Sequence, residues 1–229
     1  MAITITNRHA EVKTADATSY SFGPITVTAS RWLVVDVGNG KASATASLPT
    51  LSGGGLTYNQ EATQTVNSDT KRITRFYVWT AAVTSVTIVA DLGGVTHENG
   101  AMVVNELNGV DLTDPFTQTV TGTALGTTYT VTLAAYTGTD SRPLIAFGTW
   151  PNSVASVEAG YTSLNNTTGG TEHTIGSSWH SSTQDTTPSW TGTNRFHGVI
   201  ASEVKAETAT TKPGVIYISN QAVQRASRW

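Results

Sequence analysis

The chain has no cysteine in its 229 residues. That absence excludes disulfide staples, thiolate metal sites and a cysteine nucleophile alike. Folding must rest on apolar burial and strand pairing, and a core at this length needs no covalent staple. Charge is scarce too: Asp, Glu, Lys and Arg make up 13% of the chain, against about 25% in ordinary domains. A net charge of −3 and a pI near 5.9 give no electrostatic footprint for nucleic acid, so no nucleic-acid partner is expected. No apolar run approaches the length of a membrane span. Met1 to Arg8 holds no apolar core of a secretory signal. Such a chain is expected to leave its cell only inside or on a larger particle.

What is abundant is threonine, with serine and glycine. Thr is β-branched, favours strands and keeps an exposed sheet face polar without charge. Period-2 alternation recurs from end to end, and helical periodicity is almost absent before the last ten residues. Strands are expected at Ile25–Thr28, at Arg31–Val37 with Gly38-Asn39-Gly40 as the stop, and at Lys71–Thr80 and Ser85–Ala90. Further strands are expected at Ala101–Leu107, Tyr129–Leu133, Pro143–Trp150 and Phe196–Val204. Leu33, Val35 and Val37 share one face; Phe76 and Val78 oppose Arg75, Tyr77 and Trp79; Val86, Ile88 and Ala90 share another. Leu48–Gly55 reads as a turn-rich crossing, and Ser163–Trp190, rich in Asn, Thr, Ser and Gly, as a variable surface loop. The pattern specifies an all-β protein: an antiparallel, jelly-roll-like β-sandwich over residues 1–207.

Residues 208–229 differ in kind. Thr208 to Pro213 reads as a linker, Val215-Ile216-Tyr217-Ile218 as a short apolar strand, and Asn220 as the cap of a final turn or two of helix. In that helix Ala222, Val223, Ala226 and Trp229 gather on one side. Lys205, Lys212, Arg225 and Arg228 stand against Glu207 alone, so this end is basic. A segment so short is not stable by itself. It must dock, on its own sandwich or on a neighbouring subunit. Val215, Ile216, Tyr217, Ile218, Val223 and Trp229 are the candidate assembly interface.

Motifs for catalysis fail one by one. His9, His97, His173, His180 and His197 show neither H-x-H nor H-x-x-x-H spacing, so no metal is expected. Glu98, Glu106, Asp111 and Asp114 read as strand-end and turn-forming residues rather than as a pair across a cleft. There is no G-x-S-x-G elbow. Gly53-Gly54-Gly55 lacks the Lys-Ser/Thr of a phosphate loop, and Asp91-Leu92-Gly93-Gly94 lacks the ligands of a calcium loop. A non-enzymatic protein without cofactor is the expectation. The aromatics Trp150, Tyr161, Trp179 and Trp190 fall in or beside a polar stretch. They either close the end of the core or present faces on which sugar rings stack, a candidate glycan-binding platform.

Six segments carry a resemblance: Arg31–Val37, Gly55-Leu56-Thr57-Tyr58, Thr74–Ala81, Asn105–Asp111, Thr130–Ala135 and Pro188-Ser189-Trp190. Together they resemble the jelly-roll β-sandwich virion proteins of tailed bacteriophages, over residues 20–204. Members serve as minor tail, fibre or capsid-decorating components. The resemblance implies a virion location, other virion proteins as partners, homo-oligomeric assembly and no catalytic residues. Binding of a host surface glycan is the alternative function.

Overall fold

The computed structural model describes residues 2–153, 155–169 and 173–207. All regular elements among them are strands, and every paired strand runs antiparallel to its neighbour. Eight strands come from the first half: β1 (Thr4–Lys13), β2 (Ser19–Thr26), β3 (Trp32–Gly40), β4 (Thr50–Ser52), β5 (Asn59–Val66), β6 (Lys71–Trp79), β7 (Ser85–Asp91) and β8 (Asn99–Asn108). They form a central sheet ordered β1-β8-β3-β6-β5 and a smaller one ordered β2-β7-β4. This is the jelly-roll order, with β5 turned back beside β6 rather than placed next to β4. The β5–β6 hairpin turns through Asn67-Ser68-Asp69, at φ of +50°, +53° and +66°. Asn and Asp tolerate that left-handed conformation better than most residues.

The second half supplies β9 (Phe116–Thr130), β10 (Arg142–Trp150), β11 (Ser156–Val157), β12 (Tyr161–Gly169), β13 (His173–His180) and β14 (Ser189–Val204). Their sheet runs β12-β13-β10-β14-β9, and β11 pairs with the start of β14. This third sheet packs on the face of the central sheet that β2-β7-β4 leaves free. The molecule is thus an all-β sandwich with a middle sheet covered on both sides.

The expected alternation builds both interfaces. Leu33, Val35, Val37, Phe76 and Val78 meet Phe22, Val86, Ile88 and Ala90 in one core. Across the other face, Trp32 and Val34 meet Leu144, Trp179 and Val204, and Ile73 and Val66 meet Ala146, Trp150 and Ile200. A buried ion pair sits in this second interface. The Arg75 guanidinium donates to both Asp36 oxygens, at 2.7 and 3.1 Å, and its Nη1 reaches Ser202 Oγ (2.8 Å) and the Leu144 carbonyl (3.2 Å) on the third sheet. A charge so deeply buried is tolerated because it is paired and hydrogen-bonded at all three guanidinium nitrogens.

Several boundaries differ from expectation. Ser163–Trp190 is not a surface loop: it holds most of β12 and all of β13, and seven of the eight β13 residues are buried. β3 continues through Gly38-Asn39-Gly40, because Gly38 leaves room for the His173 ring and Gly40 for the Lys71 side chain. β9 ends at Thr130, near the start of the strand expected at Tyr129–Leu133. Val131 and Leu133 instead belong to a segment that roofs the outer face of the third sheet, where the Leu133 N–H donates to the Thr186 carbonyl (2.7 Å). The arm residues Val215, Ile216, Tyr217, Ile218, Val223 and Trp229, with the linker before them, lie outside the described residues.

Candidate functional site

The four aromatics proposed as a sugar platform do not come together. Trp150, Tyr161, Trp179 and Trp190 are 2%, 8%, 7% and 1% exposed. Trp179 lies between the central and third sheets. Trp150 stacks on His173, with ring centroids 4.4 Å apart. Tyr161 and Trp190 pack in the outer core of the third sheet, where Trp190 meets Phe147. Tyr161 donates its hydroxyl to Asp185 Oδ2 (2.9 Å), and burial, followed by that bond, pushes its pKa far up. The rings close the cores, because a flat apolar face gains more from burial between strands than from water. A platform of these four residues is therefore corrected to core packing.

The carboxylates act as their turn positions predict. Asp111 Oδ1 accepts the Thr113 and Asp114 N–H groups, at 2.8 and 3.1 Å, and Asp114 Oδ1 accepts that of Phe116 (3.1 Å). Asp111 also pairs with Lys205 (2.9 Å), which holds its carboxyl below the usual range. Burial raises Glu106, but hydrogen bonds from Arg8 and from the Thr28 N–H outweigh it, leaving the carboxyl lowered overall. His97 accepts the Ser47 N–H at Nε2 (3.0 Å) and faces the Val95 carbonyl through Nδ1 (2.9 Å), a structural tie between loops. Among the described residues, no group of three or more His, Cys, Asp or Glu side chains is placed to hold a metal ion.

Two of the open pockets have aromatic side chains in their walls. One, of about 280 Å³, is lined by Arg31, Trp32, Trp79, Leu112 and Glu207, among others. Trp32 and Trp79 meet edge-on there (5.3 Å), and Leu112 is exposed. The last described residue, Glu207, lies in this lining and donates its N–H to the Gly109 carbonyl (3.0 Å). The other, of about 360 Å³, is bounded by Ala42, Asn67, Lys71, Trp150, Pro151 and Phe196. Of the four predicted aromatics, Trp150 alone borders a described pocket.

Sequence reasoning missed the outer strand of the third sheet. Phe116–Thr130 contains no charged residue and no proline. Its signal was the run of threonines at 117, 119, 121 and 123, which carries alternation without strong hydrophobicity. Exposed Leu125 lies opposite exposed Phe196 at this edge, 59% and 37% accessible. Among the described residues no helix is long and apolar enough to cross a membrane. Searches for related proteins gave no matching family model, no matching curated protein and no matching solved structure.

Proposed function

We propose that this chain is a non-enzymatic structural protein of a bacteriophage virion, a minor tail, fibre or capsid-decorating subunit that assembles through repeated subunit contacts. The observation that carries the proposal is the jelly-roll order of the first eight strands, an architecture that recurs in viral shells and in lectins. It is joined here by the strand motifs of the resemblance and by a charge-poor, Thr-rich exterior suited to side-by-side packing. The basic, apolar C-terminal segment is the attachment element in this reading. The test is mass spectrometry of purified particles from cells making the full chain or one lacking residues 214–229. The full chain is expected in the particles, and the truncated chain is expected to be folded but missing from them. Particles without the full chain overturn the virion reading; particles that carry the truncated chain normally overturn the role of the arm.

A glycan-binding role is the second reading, and one pocket favours it. Polar Asn67 and Lys71 line that pocket together with apolar Pro151 and Phe196, the mix that sugar sites use. Retention of the protein on a polysaccharide array, lost on Phe196→Ala, separates this role from a purely architectural one.

A further inference from the structure

An edge strand presents a row of unpaired N–H and C=O groups, and proteins guard such edges with charge, proline, bulges or short length. Most edges here are guarded. β1 carries Arg8, His9, Glu11 and Lys13 and a bulge between Asn7 and His9. β5 carries Glu61 at the bulge between Gln60 and Ala62. β2 breaks register at Gly23-Pro24, and β4 has three residues. β12 is bulged between Ser163 and Asn165, and its Gly169 abuts Val12 of β1.

β9 is guarded at its ends alone, by the extra Thr117 between Phe116↔Val204 and Gln118↔Glu203 and by the β14 irregularity between Thr191 and Arg195. It is 15 residues long, without charge or proline, and pairs with β14 in unbroken register from Gln118↔Glu203 to Gly126↔Arg195. Alternate backbone groups along that stretch point away from β14. Among the described residues, its Gln118–Gly126 backbone is hydrogen-bonded to no element besides β14. Thr117, Thr123, Ala124, Leu125, Thr127 and Thr128 are exposed.

We infer that the free edge of β9 pairs with β9 of a second copy of this chain, joining two third sheets into one continuous sheet. The inference rests on the proposed assembly role and names its partner. A strand meeting its own copy across a two-fold axis pairs antiparallel with itself: residue i meets j and j meets i, and residues at the axis meet their own kind. A charge near that axis would face its own copy across the seam. β9 carries none, and its alternating threonines supply compatible cross-strand neighbours. Exposed Leu125 adds apolar surface on β9 itself for the second copy to cover. A partner of different chemistry would find no charge on β9 to recognise.

The test uses the full chain with Ala124→Lys and Leu125→Lys, both at exposed positions, and Thr87→Lys on the exposed side of β7 as control. Sedimentation equilibrium is expected to show a dimer for the wild type and the control. Association of both β9 variants is expected to weaken at least about tenfold with unchanged thermal midpoints. In the wild type, amide exchange along residues 117–127 is expected to slow as the dimer forms, which needs no substitution. A wild-type monomer at every concentration, or a dimer whose protection lies elsewhere, overturns the pairing. Particles that contain the chain and accept both β9 variants normally would refute the pairing while leaving the virion reading intact. A β9 dimer never found in particles would do the reverse.

Discussion

His173 sits in the seam between the central and third sheets, fully buried, with its ring stacked on Trp150 and lying over Gly38. A Cβ on Gly38 would come within 2.6 Å of His173 Nε2, so the glycine is what admits the imidazole. Among the described residues neither ring nitrogen has a hydrogen-bond partner. Burial, with the nearby Lys71 charge second, pushes the pKa down from 6.5 to about 3. In the unfolded chain the same group titrates near 6.5. Between these values the unfolded state binds a proton that the folded state refuses. This contribution to stability is therefore complete above pH 6.5 and falls away with acidification toward pH 3. His97 and His197, lowered by burial, act in the same direction. Urea unfolding from about pH 7.5 to about pH 4 should show stability declining, with His173 contributing a slope of up to about 1.4 kcal/mol per pH unit. His173→Gln should flatten the curve by up to one proton; an unchanged slope would show that His173 takes no part in it.

The elements differ in how openly the sequence declares them. β3, β6 and β7 carry apolar alternation whose facing residues can be read directly, whereas the contiguous apolar run of β8 marks a strand without marking its faces. β13 could not be read, because its inward positions are His173, Ile175, Ser177 and Trp179 and its outward ones Thr174, Gly176 and Ser178. Sheets that approach closely need small and hydrogen-bonding residues, and such residues also make loops. Asn105 Nδ2 donating to Ser177 Oγ at 3.0 Å shows how polarity is absorbed there. The aromatic candidates failed for a related reason: a Trp amid polar residues fits a sugar face and a core end equally, and only partner strands distant in sequence decide. The burial of β13 makes Gly176 diagnostic. A Cβ there would lie 2.5 Å from Phe147 Cε1 and 3.0 Å from the Asn165 carbonyl oxygen. Gly176→Ala should cost about 1–3 kcal/mol through overpacking, whereas Thr162→Ala at an exposed β12 position should stay within about 0.5 kcal/mol. Denaturant midpoints check both, and a neutral Gly176→Ala would return the segment to loop status.

The middle sheet couples the whole molecule. All nine residues of β3 are buried, with Leu33, Val35 and Val37 on one side and Val34 on the other. Losing the third sheet would expose Val34, Ala101 and Val103 and strip Arg75 of its bonds to Ser202 and Leu144. Losing the smaller sheet would expose the opposite core. Strand pairing adds to this: β1 is held by β8, which follows it in sequence by 86 residues at the nearest ends. Neither outer sheet can leave without destabilising the one that supports the other, so intermediate states with one sheet detached are disfavoured. Calorimetry should give one transition, with calorimetric and van't Hoff enthalpies equal. Residues 2–111 alone should be aggregation-prone and bind a hydrophobic dye, because they display the uncovered face of the central sheet. Two resolved transitions, or a well-folded monomeric 2–111 fragment, would show instead that the jelly roll is self-sufficient and the third sheet an appendage.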